Sequence, residues 1–116
     1  MPTPTGKGNY SDYLRLKELL SLQSGWGRGE EKISADELHF IIVHQSFELW
    51  FKLVISELKQ ARDILDKDYV QETEIPKVVH HMQRVIETFR LMAQQWKVME
   101  TLTPQGFLSF RDELGT

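Results

Sequence analysis

The sequence predicts an all-α chain in which long antiparallel helices form a bundle with two short flanking helices. Three observations carry that prediction. Between Phe40 and Ile55, 11 of 16 residues are apolar. Four of the five exceptions, His44, Gln45, Glu48 and Lys52, fall on one narrow stripe when the segment is wound at about 100° per residue. Further on, Val78, Met82, Val85, Phe89, Met92, Trp96 and Met99 repeat at alternating steps of four and three, the seam by which antiparallel helices pack side by side. Between these stretches stand glycines, prolines and N-capping residues.

Residues 1–9, rich in Pro, Gly and Thr, read as a flexible lead, and 10–116 as one helical domain. From Tyr10 to Gln23 the apolar positions Tyr13, Leu14, Leu16, Leu19, Leu20 and Leu22 fit a short amphipathic helix. Gly25, Gly27 and Gly29 then break it, and Trp26 between them suggests an aromatic that packs onto something. Ser34-Ala35-Asp36-Glu37 is a capping box that opens a helix over about 35–66, roughly 48 Å long at 1.5 Å per residue. A helix greasy on most of its circumference needs covering on several sides and is therefore central. The polar stretch from Asp66 to Glu74 reads as the connection. Pro76 suits the first turn of a helix over about 75–101. Thr103-Pro104 is an N-cap followed by a first-turn proline, opening a last short helix to about Leu114 with Gly115 as its stop.

The 116 residues allow one domain, and helical chains of this size often complete their core by pairing with a second subunit. A net charge of −3 argues against a nucleic-acid surface, and no polybasic run marks a lipid surface. With no cysteine, the chain has no disulfide, zinc-thiolate site or thiol nucleophile, which is compatible with a cytoplasmic location. The apolar stretch over 40–55 is short for a bilayer span of ~20 residues and is interrupted by Glu48 and Lys52. No apolar leader is visible at the N-terminus.

His44 is the sharpest chemical candidate. Its helical neighbours Phe40, Ile41, Phe47, Glu48 and Phe51 place the imidazole among aromatic rings, where desolvation favours the neutral form. A neutral ring can exchange one hydrogen bond with a ligand. The plain structural alternative is a histidine bonded to a helix neighbour such as Glu48. His39, His44, His80 and His81 do not share a face, so the spacing offers no metal held by these side chains alone. Phe107 and Arg111, four apart, set a ring beside a guanidinium, a reader for a flat ligand with a carboxylate; the alternative is Arg111 paired with Asp112 or Glu113. Tyr10, Tyr13 and Leu14 read by spacing as core.

Taken together, Phe40-Ile41-Ile42-Val43-His44-Gln45-Ser46-Phe47-Glu48-Leu49-Trp50-Phe51-Lys52 resembles the signature of the tryptophan 2,3-dioxygenase family, haem enzymes that open the indole ring of L-tryptophan. The resemblance runs through Tyr13-Leu14-Arg15-Leu16, Leu19-Leu20-Ser21-Leu22-Gln23, Met82-Gln83-Arg84-Val85, Gln94-Gln95-Trp96, Met99-Glu100-Thr101-Leu102-Thr103 and Phe110-Arg111-Asp112. It spans the chain from about Tyr10 to Arg111.

The resemblance implies a tryptophan/indoleamine 2,3-dioxygenase-like fold and reaction of L-tryptophan with O2 to give N-formylkynurenine. Haem b would be the cofactor, the assembly a cytoplasmic homotetramer, and the pathway that of tryptophan catabolism. By the same resemblance His44 is the distal histidine facing the indole N–H, Phe40 and Phe107 flank the indole, and Arg111 pairs with the substrate carboxylate. Tyr10, Tyr13 and Leu14 reach the neighbouring subunit's pocket. Family subunits are more than twice this long. The segment carrying the proximal haem histidine and the threonine that holds the substrate ammonium has no counterpart here. The chain is therefore expected to be the N-terminal part of a subunit, with no metal ligand of its own. Two rivals stand beside this reading: a haem-free helical oligomerisation module, and a related haem protein acting on another aromatic amino acid.

Overall fold

The structure, a computed structural model, describes residues 8–26 and 33–114. Most of the lead at 1–9, the break at Gly27 and Gly29, and the stop at Gly115 lie outside the described residues.

Where the sequence predicts one helix over Tyr10–Gln23, there are two single turns, α1 (Tyr10–Tyr13) and α2 (Leu16–Leu19). Asn9 caps the first, its Oδ1 accepting the Asp12 N–H at 2.9 Å. The interruption is Arg15, left-handed at φ 55° and ψ 44°, a conformation that costs a residue with a Cβ about 1–2 kcal/mol. Its guanidinium binds Glu18 through Nε at 3.0 Å and Nη2 at 2.8 Å and holds that carboxyl below its ordinary range. Both turns fall far short of the ~12–15 residues at which an isolated helix becomes even marginal, so little cooperativity resists the break.

Helix α3 (Ala35–Leu65) begins as predicted, with Ser34 Oγ accepting the Glu37 N–H at 3.0 Å. The chain then turns through a 3-10 segment, Glu72–Glu74, pinned by Lys67 Nζ at 2.5 Å from Glu74 Oε2. Helix α4 (Ile75–Met99) has Pro76 in its first turn. Thr103 caps α5 (Pro104–Leu108), its Oγ1 accepting the Gly106 N–H at 2.9 Å. The predicted run to Leu114 is broken: α5 ends after one turn, and a separate 3-10 turn covers Arg111–Leu114. Ser109 Oγ donates back to the Gly106 carbonyl at 2.6 Å, and the Phe110 N–H bonds the Phe107 carbonyl at 3.2 Å. Both contacts tighten the end of the helix.

Helices α3 and α4 pack along their lengths. The contacts Glu57–His81, Phe47–Trp96 and His39–Val98 move up one helix as they move down the other, so the pair is antiparallel. Val43, Val54 and Ala61 of α3 and Val85 and Met92 of α4 are buried between them. The predicted seam is buried only in part, with Met82, Phe89 and Trp96 at 38%, 48% and 55% exposure. A 4-3 repeat drifts around a straight helix, and one partner covers one row. For the same reason α3 is not enclosed on several sides: Ile42, Leu49 and Ile55 stay exposed. The radius of gyration is 19.3 Å, against ~13 Å for a compact domain of about this length. Taken whole, α3 is the one helix among the described residues long and apolar enough to cross a membrane, contrary to the shorter window considered above. Its polar stripe and buried Glu57 would be expensive in lipid.

Candidate functional site

His44 sits on the N-terminal third of α3 with Nδ1 2.8 Å from the Phe40 carbonyl oxygen. A carbonyl only accepts, so Nδ1 donates, and in the neutral ring Nε2 is the nitrogen that keeps the lone pair. The bond to a helix neighbour therefore exists, but its partner is the backbone of Phe40 and not Glu48. The Phe40 ring lies against the imidazole at 4.0 Å between centroids, tilted by 31°. Aromatic enclosure of His44 is one-sided, and the residue as a whole is exposed.

Two short elements dock on α3 beside it. On one flank, α5 brings Phe107 and Phe110 to Phe40, with centroids 5.9 and 5.3 Å from the Phe40 ring and 5.7 Å from each other. Gly106 makes this approach possible: a Cβ there would stand 2.7 Å from the Asp36 carboxylate in the first turn of α3. On the other flank, the segment from α2 lies along α3. Between that segment and α3 runs a groove of about 440 Å³ lined by Leu19, Leu22, His44, Gln45, Glu48, Leu49 and Lys52; Phe40 and Phe107 are not in its lining. A larger surface concavity of about 970 Å³, around Asn9, Asp12, Arg15 and Lys17, does not include His44 in its lining. We place the site at the smaller one.

Phe40, His44 and Phe107 are thus brought together, but Phe40 and Phe107 already touch. A ring sandwiched between them needs about 7 Å, two stacking distances of ~3.5 Å. A planar guest therefore does not lie between them. Arg111 follows directly on this cluster, yet its side chain is 59% exposed and its Nε lies 3.8 Å from Asp112. Tyr10, Tyr13 and Leu14 are exposed at 75%, 84% and 40%, which corrects the spacing-based reading of them as core. Trp26, at 69%, is exposed too. Phe110, 3% exposed, is the site residue that periodicity missed. The signal available was its position three after Phe107, on the same helix face.

Comparison with known proteins places this geometry in a lineage. The sequence pattern of the tryptophan 2,3-dioxygenase family matches residues 3–116. The chain belongs to the tryptophan 2,3-dioxygenase family. It is 42% identical over 106 residues to a tryptophan 2,3-dioxygenase of Sorangium cellulosum, covering 91% of this chain and 26% of that relative. It is 44% identical to tryptophan 2,3-dioxygenase 2 of Ralstonia nicotianae, covering 91% and 29%. The relative from Alteromonas mediterranea is also 44% identical, with 90% and 29% covered. The chain spans less than a third of the length of these relatives.

This member of the tryptophan 2,3-dioxygenase family also has a buried ionic cluster outside the His44 region. Glu57, 3% exposed, lies 2.6 Å from His81 Nδ1 and accepts from Arg84 Nη1 at 3.1 Å. The His81 hydrogen bond first, and Arg84 after it, hold the Glu57 carboxyl below its ordinary range, although burial pushes the other way. Arg84 Nη2 also reaches His80 Nε2 at 3.2 Å. Adjacent His80 and His81, expected to face apart, therefore meet one network through Arg84. Among the described residues no three His, Asp or Glu side chains converge as metal ligands.

Proposed function

We propose that this chain forms the distal, substrate-facing part of a haem-dependent dioxygenase that opens the indole ring of L-tryptophan with O2 to give N-formylkynurenine. The observation that carries the reading is the hydrogen bond from His44 Nδ1 to the Phe40 carbonyl, which in the neutral ring leaves Nε2 to accept. That acceptor is matched to the one N–H donor of an indole.

The donor set also fits one face of a haem. The groove offers the apolar wall of Leu19, Leu22 and Leu49 beside a single imidazole, suited to a flat, largely apolar group. His39 Nε2 is engaged by Val98 and Thr101, His81 by Glu57 and His80 by Arg84, so these rings are not offered as axial ligands. Haem, when bound, supplies the activation of O2. The residues of this chain orient and desolvate. His44 Nε2 accepts the indole N–H, and Phe40 and Phe107 cover the ring edge. Arg111, released from its weak pairing with Asp112, takes the substrate carboxylate. Holding the ring in register is itself a large part of catalysis in such a site. Exposed Tyr10, Tyr13 and Leu14 would meet a neighbouring subunit of a cytoplasmic homo-oligomer.

The experiment is a graft. This chain replaces the matching segment of the Ralstonia nicotianae relative, and N-formylkynurenine formation and the Soret band are recorded. Turnover, with a Soret band that shifts on adding L-tryptophan, supports the proposal; a folded, haem-loaded graft with neither response overturns it. The exposed apolar rows of α3 and α4 favour one second reading, a haem-free assembly module, for which oligomer formation without any haem absorbance is the signature.

A further inference from the structure

Gln45, next to His44 on the polar stripe of α3, is tied to the α2 segment by a closed set of amide hydrogen bonds. Its Nε2 donates to the Leu22 carbonyl at 2.7 Å. Its Oε1 accepts from Gln23 Nε2 at 3.0 Å, and the same Gln23 nitrogen lies 2.8 Å from the Leu19 carbonyl. Gln23 is 8% exposed, so its amide depends on these partners. Apolar burial does little to hold the segment: Leu20 and Leu22 are 64% and 61% exposed. Leu19 and Leu22, whose carbonyls the two amides grip, are the residues that wall the groove opposite His44.

We propose that Gln23 and Gln45 form a positioning clamp that fixes the Leu19–Leu22 wall over α3 and so sets the width of the His44 groove. This rests on the function proposed above. The width of the groove then determines which ring substituents on an indole substrate the site admits. Gln45 also lines the groove, whereas Gln23 does not, so Gln23 separates positioning through the two leucines from direct contact.

The test pairs hydrogen exchange on the chain with steady-state kinetics on the haem-loaded graft described above. Gln45→Leu removes both bonds made by Gln45. Each is worth roughly twofold to tenfold in the docking equilibrium, so amides of Leu19–Gln23 should exchange at least about fivefold faster while those of the α3–α4 interface stay unchanged. KM for L-tryptophan should rise severalfold with kcat held within about twofold, and discrimination against bulkier ring-substituted tryptophans should shrink. Gln45→Asn, which keeps the amide donor and acceptor on a shorter arm, should recover part of each effect. Unchanged exchange at Leu19–Gln23 overturns the clamp. Faster exchange with unchanged KM and unchanged substrate discrimination overturns its positioning role. If Gln45→Leu loosens the whole hairpin, Gln23→Leu decides by the same readouts. A haem-loaded graft with the unsubstituted sequence that leaves L-tryptophan intact sinks the proposed function instead, and the exchange arm still decides the clamp.

Discussion

Phe110→Ala tests whether α5 is what holds the aromatic side of the His44 site. The Phe110 ring is 3% exposed and lies 5.3 Å from Phe40 and 5.7 Å from Phe107. Returning such a side chain to water forfeits about 1.5–3 kcal/mol, and two lost ring pairs add about 0.5–1.5 kcal/mol each. The total falls in the range of about 3–5 kcal/mol typical of Phe→Ala in a core. Helix α5 is five residues long and docks on one end of α3, so the loss should appear as its detachment and not as unfolding of the hairpin. Amides of 104–114 should therefore exchange about a hundredfold faster, while those of 47–61 and 78–92 keep their protection. The His44 ring resonances should move, because Phe40 loses the neighbour that fixes it. Phe110→Leu, which keeps most of the volume, should cost under about 1.5 kcal/mol. Unchanged exchange across 104–114, or a uniform loss of protection along the chain, would refute the argument that α5 is a separate docking unit.

Three further outcomes are expected. The Glu57 carboxyl is held below its ordinary value of 4.5, so its contribution to stability is present above that pH and disappears as pH falls through the lower folded value. Thermal melts should lose stability on that acid side, and Glu57→Gln should flatten this limb while costing about 1–3 kcal/mol at neutral pH by leaving His81 and Arg84 without their partner. Gly106→Ala sets its methyl against the carboxylate of exposed Asp36, which can swing into solvent, so α5 docking should weaken by under about 1.5 kcal/mol; Asp36→Ala in the same background should recover the loss, and a larger, unrecovered loss would show that the α5 backbone itself is displaced. For the proposed reaction, Arg111→Leu should raise KM for L-tryptophan about tenfold or more, a charge-assisted bond of ~1.5–3 kcal/mol; an unaltered KM removes Arg111 as the carboxylate partner.

The long elements were legible because they rest on local rules repeated many times. Ser34 and Thr103 cap where their side chains predict, and α3 and α4 end within two residues of the expected bounds. The short elements were not. Nothing in Tyr13-Leu14-Arg15-Leu16 announces a left-handed Arg15, because neither turn is long enough for propensity to decide it. His44 and Phe40 were legible as an i, i+4 pair. Phe110 was not, because its burial depends on how close Gly106 lets α5 approach. The Glu57 cluster was hidden for a similar reason: its partners are 24 and 27 residues away, and periodicity carries no information about which polar residue meets which across a hairpin.

The stability of this hairpin and the shape of its site have different sources. The Val43–Met92 interior and the Glu57 cluster brace α3 against α4, but neither touches the groove beside His44. On one side a one-turn helix, docked through Phe110 and Gly106, packs on the Phe40 ring that backs His44; on the other, a two-turn segment held through Gln23 and Gln45 walls the groove. Elements this short have little cooperativity of their own and open at low free energy. Substitutions at Gln45, Gly106 or Phe110 should therefore change ligand selection well before they lower the global melting point, and substitutions at Val54 or Val85 should do the reverse. That separation follows because His44 takes its orientation from the backbone of its own helix, whereas the walls that tell it what to bind are borrowed.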